Sequence, residues 1–599
     1  MTRLMIVCSA VFATILMNGC SAVTSARGTN TTSNDPLAPA APAPITTWYI
    51  RNDGGTRYSS NVTSGQCDGK HDAPYPGSGA NRACAFNDYR YLFTDGTTGS
   101  SFPSCGWVIA GGDTVIIRGG PWRVGYRDGN NNSSSPFGCG TGDPFNGDLN
   151  PTIPAGTSGQ HTRILGEHYQ NCGTSYTQLH GGYGLAVTLD LRSAAFVDAE
   201  CLELTDYAQC EHSTGSPQYP ASCRTSPPMD DYSSYGMMTN TGTDDILLQD
   251  MNLHGFDNAG IRGPVGGTIT ATRVRIAFNT NSGWNFDDGN DTASVNGQIN
   301  ATNLTIEWNG CDEEYPIVDT YPAISCYDDN SGGYGDGMAT ADTPMNLSCT
   351  RCIFRYNTQD GLDFLHSTGG SISITQSESY ANMGQQFKEG AVSSASLTDS
   401  FSEGNCDRMS APIIGAPPTF NAHLSDFCRA AGDQNTFAMI SGSKLTLQHD
   451  TFVGYGATVF DIQCHDASCG TNPIPAVSFE DNIVLGYVNS KYNSGQAPGL
   501  FFFGSLMSSS NFIARDHNEV FGTRNDGCPS TGYSGEFCSD PLFVTEPTFV
   551  SEASLDHFNF NLSIGSPARN AGVVIHGQTN DYSGNPWQTP PSVGASEHQ

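Results

Sequence analysis

Three acids and one lysine stand out for the chemistry their spacing allows. Asp360 and Asp363 sit three apart in "NTQDGLDF", Asp336 precedes Asp360 by 24 residues in "GYGDGM", and Lys388 follows Asp363 by 25 in "GQQFKEG". The chain has only four lysines. If the fold stacks these segments, Asp336, Asp360 and Asp363 crowd one surface. Stacked like charges are destabilising unless something neutralises them. A divalent cation is the simplest neutraliser, and an all-oxygen set of Asp336, Asp360, Asp363 and the amide oxygen of Gln359 suits Ca²⁺. Each group also has a plainer role open to it. Asp336 and Asp360 both precede glycine, and Asp-Gly is turn chemistry. A lone lysine is ordinarily a solvated surface group. Asp363 has no such excuse, because it stands mid-strand on an outward position.

The elements that must position these residues form a repeat. "MNLHGFDNAGIRG", "VRIAFNTNSGWNF", "LTIEWNGC", "CIFRYNTQDGLDF" and "SESYANMGQQFKEG" each combine a short β-prone run, an aromatic, an Asp or Asn and a Gly; "DSFSEGNCDRM" is a weaker copy. The Asp or Asn positions are Asp257, Asn279, Asn309, Asn357, Asn382 and Asn405, at intervals of 22, 30, 48, 25 and 23. A period in the low twenties with short strands predicts a solenoid whose identical Asn side chains stack. The interval of 48 is either two coils or one coil with an insertion. A propeller would repeat every 40–50 residues, and a sandwich would not repeat. Aligning Gly361–Phe364 with Gly384–Phe387 points Leu362 and Phe364 inward and Asp363 outward. It places Lys388 beside Leu365, about 8 Å from Asp363 by one coil spacing and two residue rises. Gly335–Gly337 over Gln359–Gly361 stacks Asp336 on Asp360.

This pattern resembles the right-handed parallel β-helix of the pectate-lyase-like superfamily. "GGDTVIIRGGPW" looks like the opening coil of such proteins, and "SDPLFV" with "FNLSIGSPARNAG" looks like their closing segment. The acid cluster is most similar to that of polysaccharide lyase family 9. In that family an Asp on one coil and an Asp-Asp-Gly-x-x-Asp-like stretch on the next hold calcium, and a lysine further on is the base. The resemblance implies Asp336, Gln359, Asp360 and Asp363 as the metal set, with Gln359 replacing an acid, and Lys388 as the base. His366, Arg355, Gln386, Glu389 and Trp308 are the groove residues expected to touch sugar, with a turn as the plainer role of His366. Asp287 and Asp288 in "NFDDGN" resemble the paired acids of polygalacturonases, but the other elements of that group are missing. Glu307, Asp312, Glu313 and Glu314 are placed to shape the groove. Trp284 and Tyr356 could stack on sugar, although aromatics at repeat positions usually belong to the core.

Composition sets the remaining bounds. The 599-residue chain has a net charge of −33, 69 Gly and 33 Pro, with 37% hydrophobic residues. This is a turn-rich, neutral-polar protein with no basic stripe for nucleic acid. Arg3 and "LMIVCSAVFATILM" read as an export signal. "LMNGCS" resembles a lipobox with Cys20 as the lipidated residue, which predicts an outer-membrane, surface or periplasmic lipoprotein; the alternative is an ordinary cleaved signal and secretion. Setting aside Cys8 and Cys20 leaves 18 of 20 cysteines, an even number that predicts structural disulfides. Cys349 and Cys352 would face opposite sides of a strand, so a bond between them is not expected. The predicted organisation is a signal over 1–20, a Ser/Thr/Ala/Pro tether over 21–46, an N-terminal cap over 47–110 and a β-helix with disulfide-stapled loops over 111–599. The expected protein is a monomeric, all-β, calcium-dependent lyase acting on an acidic polysaccharide. The alternatives are a glycoside hydrolase on the same groove and a glycan-binding solenoid, since one fold hosts many functions.

Overall fold

The computed structural model describes residues 45–94, 106–126, 150–208, 223–224, 229–286, 297–313, 325–326, 335–340, 343–405, 432–488, 493, 495–524, 533–545, 559–575 and 577–597. The export signal with Cys20, the paired acids Asp287 and Asp288, and Glu314 lie outside these residues. No α-helix occurs among the described residues, and none of their helices is long and apolar enough to cross a membrane.

The chain winds as a parallel β-helix. A 23-stranded sheet and a ten-stranded sheet are built from parallel pairs between successive coils. The ten-stranded sheet carries the candidate site. Its strands are β1 (Leu185–Asp190), β2 (Ser233–Met238), β3 (Ala259–Arg262), β4 (Ser282–Asn285), β5 (Met338–Ala339), β6 (Leu362–Phe364), β7 (Phe387–Glu389), β8 (Asp433–Met439), β9 (Thr458–Cys464) and β10 (Gly499–Phe503). Inside the coil, like residues stack. Ile269, Ile299, Leu347, Ile372, Ala395, Leu445 and Val477 form one column across seven coils, each buried. Each large aliphatic in such a column contributes roughly 2 kcal/mol by leaving water.

Corners within the coils come from single residues in the left-handed region. Arg351 (φ 55°) separates the strand Met345–Thr350 from Ile353–Arg355, and Gln376, Asp399 and His449 do the same on later coils. That corner overturns the expectation for the CxxC. Because Arg351 turns the chain, Cys349 and Cys352 no longer alternate along one strand, and they form a disulfide with a Cα–Cα distance of 5.9 Å. Cys67–Cys84, Cys172–Cys201 and Cys464–Cys469 are also bonded.

A second corner carries the asparagines. Asn279 Nδ2 donates to Asn309 Oδ1 (2.9 Å), Asn309 to Asn357 (2.9 Å) and Asn357 to Asn382 (2.8 Å), all fully buried. Each amide satisfies its neighbour, so none bears the cost of burial unpaired. Asn309 bonds Asn357 directly, and Thr305–Glu307 pairs with Ile353–Arg355, so the interval of 48 is one coil with an insertion. Asp257 is not in the ladder; the preceding residue, Phe256, takes that register and donates its backbone N–H to Asn279 Oδ1.

Glycine is required beside this ladder. A Cβ on Gly337 would lie 2.5 Å from the Gly361 carbonyl oxygen and 2.9 Å from Asn357 Nδ2; one on Gly361 would lie 2.7 Å from Asn382 Nδ2. The glycines of the two Asp-Gly pairs therefore serve close coil-to-coil approach, and neither has a positive φ. The residue before each, Asp336 or Asp360, is thereby held at the same point of successive coils.

Candidate active site

β5, β6 and β7 are in direct register: Met338 pairs with Leu362 and Leu362 with Phe387. Leu362 and Phe387 point into the core, so Asp363 and Lys388 point out, side by side. The Lys388 ammonium donates to Asp363 Oδ2 at 2.6 Å and to Asp360 Oδ2 at 2.9 Å. Asp336 Oδ1 accepts from the Asp360 backbone N–H at 2.9 Å, and Asp360 Oδ1 accepts from that of Gln385 at 2.6 Å. One oxygen from each of Asp336, Asp360 and Asp363 lies within 4.8 Å of the others.

The position of Lys388 differs from the expectation. The Gly-x-x-Phe alignment implied a shift of 23, whereas the strands pair at 25, the same interval as Asn357 to Asn382. The glycine similarity misled because Gly384 sits two residues earlier in its turn than Gly361 in its own. Lys388 is therefore Asp363's lateral neighbour and touches it, instead of lying about 8 Å away.

Electrostatically the cluster is unbalanced, with three acids facing one ammonium. Two carboxylates about 4 Å apart repel by roughly 4 kcal/mol at an effective dielectric of 20. Burial, then the Asp360 charge, push the Asp363 carboxyl above its usual range, against the pull of Lys388. For Lys388, burial favours the neutral amine, but Asp360 and Asp363 outweigh it and hold the ammonium above its ordinary value. The Lys388 side chain is 11% exposed. The donor set fits a hard divalent cation: three convergent carboxylates, no sulfur, no imidazole, and excess negative charge. Gln359 is buried beside Asp360, with its backbone N–H bonded to the Gly335 carbonyl.

The expected sugar-contacting residues do not gather here. Glu389 points inward, because it shares the face of Phe387 and pairs laterally with Phe364 and Phe437 of the core. Burial raises its carboxyl to about 8. Gln386 is fully buried and spends its side chain on the Asn382 turn, accepting from Asn382 Nδ2 at 2.8 Å. Trp308 is 5% exposed and stacked between Phe278 and Tyr356, ring on ring, so its faces are taken by protein. Trp284 and Tyr356 are core residues as well. Arg355 lies in the other sheet, bonded to Glu307 at 2.6 Å and to the Tyr380 hydroxyl at 2.8 Å. Glu313 lies against His254 Nδ1 at 2.5 Å. Of these expected contacts, His366 is the exposed one, in the turn that follows β6.

Sequence reasoning missed the continuation of the Lys388 position. Thr436, Asp461 and Phe502 follow it in register on the same outer face. Their intervals of 48, 25 and 41 break the period. The available signal was the alternation in Phe460-Asp461-Ile462; Asn435-Thr436-Phe437 and Phe501-Phe502-Phe503 carry none.

No protein-family model and no curated protein matches this sequence. Among solved structures, the chain is similar to pectate lyase Pel9A, at 12% identity and a TM-score of 0.42, covering 93% of this chain and 98% of that one. It is also similar to a rhamnogalacturonan lyase, at 11% identity and a TM-score of 0.34, covering 79% and 87%. A third is GH136 lacto-N-biosidase from Eubacterium ramulus, at 10% identity and a TM-score of 0.29, covering 79% and 67%. These likenesses concern the fold and assign no residue of this chain.

Proposed function

We propose that this chain is a polysaccharide lyase that cleaves a uronate-containing polymer by calcium-assisted β-elimination. The observation that carries the reading is the convergence of buried Asp336 and Asp360 with outward Asp363 and Lys388 in one cluster, with more negative charge than Lys388 can balance. Asp336, Asp360 and Asp363 are the residues that would hold the ion. When bound, Ca²⁺ would neutralise the three carboxylates and draw charge from the substrate carboxylate as an enolate-like state develops.

Lys388 is the base. With Asp360 and Asp363 engaged elsewhere, it loses the partners that keep it protonated, while its burial, which favours the free amine, remains. Its lone pair takes the proton at C5, beside the uronate carboxylate. The C5–H electron pair becomes the C4–C5 double bond, the C4–O bond breaks, and the departing oxygen takes a proton from solvent. No water is added across the bond. In Lys388→Ala, release of unsaturated uronate ends, read by their ultraviolet absorbance, should fall by about 10³-fold with the fold intact. Wild-type release in that variant overturns the assignment. New reducing ends without the absorbance would identify a hydrolase, and glycan binding with neither would identify a binding module.

We also propose export and lipid anchoring through Cys20. Four disulfides among the described residues support an oxidising compartment. Fatty-acid labelling that persists in Cys20→Ser would sink the anchor.

A further inference from the structure

Beyond Lys388 the outer column of the ten-stranded sheet changes character. Thr436 pairs with Lys388, Asp461 with Thr436 and Phe502 with Asp461, each one coil further from the acids. Lys388 and Phe502 are thus three strand spacings apart, about 14 Å along the axis. The neighbours of each residue fix its direction. Phe460 and Ile462 are fully buried in the core, so Asp461 faces out between them; Phe501 and Phe503 pack on the core, so Phe502 faces out.

Two features of this stretch are costly in an isolated protein. Asp461 is 7% exposed, and its Oδ1 has no hydrogen-bond partner among the described residues. A buried acceptor left unpaired is destabilising. Phe502 is 54% exposed although both chain neighbours are packed. A ring lying open one coil from an unsatisfied carboxylate matches the two faces of a sugar. Its hydroxyls donate to an acid, and its C–H face lies on an aromatic.

We propose that Asp461 and Phe502 form a sugar-binding track that extends the Lys388 site and takes an uncharged sugar unit, with Thr436, buried and accepting from Gln385 Nε2, joining the two. The assignment to an uncharged unit follows from charge. The column from Thr436 to Phe502 holds no lysine or arginine, and Asp433 adds a second carboxylate near Asp461, raising its carboxyl further after burial has done so. A uronate there would meet like charge, while a neutral ring brings hydroxyl donors and no charge. The inference rests on the lyase reading for the uronate unit at Lys388. Together they define the substrate as a heteropolymer in which neutral sugars accompany uronates.

The test is binding on an array of homouronate, neutral and mixed uronate–neutral oligosaccharides, using the full chain as Lys388→Ala so that nothing is cleaved. Mixed oligosaccharides should be held about tenfold more tightly than homouronate ones. Adding Phe502→Ala or Asp461→Ala should each remove most of that difference. Ile513→Ala, an exposed apolar site in the other sheet, should leave it. Asp461→Asn keeps the side chain's shape and replaces the alanine variant if that fails to fold. Unchanged binding in both track variants, or a preference for homouronate, overturns the track. A wild-type chain that cleaves nothing but shows these losses sinks the lyase and keeps the track. One that cleaves homouronate while both track variants bind as before keeps the lyase and sinks the track.

Discussion

Two regions of this β-helix bury acids beside cations on outer faces, and they balance charge differently. On the larger sheet, Glu307 sits between Arg275 and Arg355, accepting from them at 2.7 and 2.6 Å. Burial works against its ionised form, yet the two guanidiniums outweigh it and hold the carboxyl below its usual value. Nearby, burial favours a neutral His254 imidazole, but Glu313 and Glu203 lift it to about 9. Each centre there has its counter-charges in place. On the ten-stranded sheet, Asp336, Asp360 and Asp363 share one ammonium. The first arrangement is complete as it stands and reads as scaffold. The second carries more acid than its one ammonium balances, which is the imbalance the calcium proposal rests on; perturbed groups of this kind cluster at functional sites. Glu389, buried with no cation and with Oε2 lacking a partner among the described residues, is the far end of the same scale.

The largest expected difference is in calcium binding. Asp360→Asn should weaken Ca²⁺, measured by calorimetry, by at least about 100-fold and remove cleavage with it, because it takes one of three charges from the set. Equal affinity in that variant would erase the distinction between the two regions.

Next comes the acid without a partner. Glu389 keeps its proton in the folded state up to about pH 8, while the unfolded chain loses it near pH 4.5. The folded state therefore binds more protons between these values, and stability falls as pH rises through that window. The loss is on the order of 4 kcal/mol. Glu389→Gln does not titrate, so its stability advantage in denaturant melts should grow from pH 4.5 to 8 and then level. A constant difference across that range would show that Glu389 is ionised in the fold.

The smallest effect belongs to the balanced region. Glu307→Gln leaves two guanidiniums without their acid, but Arg275 and Arg355 are each about one-third exposed and can hydrate. A loss of about 2 kcal/mol follows, below that of a fully buried pair, with calcium affinity unchanged. A fall in calcium affinity in that variant would mean the two regions are coupled.

Much of this was legible in the residues themselves, where local constraint and position coincide. Asn279, Asn309, Asn357 and Asn382 announced the coil because a stacked amide ladder needs the same residue at the same corner each time. Asp336 and Asp360 were placed correctly because each is tied to a glycine that must meet its counterpart. Which polar and aromatic side chains face out was not legible. Trp308, Gln386 and Glu389 are residue types that bind sugars equally well in another setting. Whether each faces out depends on the half-turn of chain before it. The Cys349–Cys352 bond was hidden for the same reason, since an arginine in the left-handed region has no sequence mark.

The amino-acid sequence by itself determined the winding, its amide ladder, and the stacking of the Asp-Gly acids, because those are interactions each coil makes with its own copy. Only the tertiary structure decided that Lys388 touches Asp363, that Glu389 lies within, and that Thr436, Asp461 and Phe502 continue the column. Those facts depend on strand register between coils of unequal length. A difference of two residues in one turn moves a side chain along the groove, and a difference of one sends it to the opposite face.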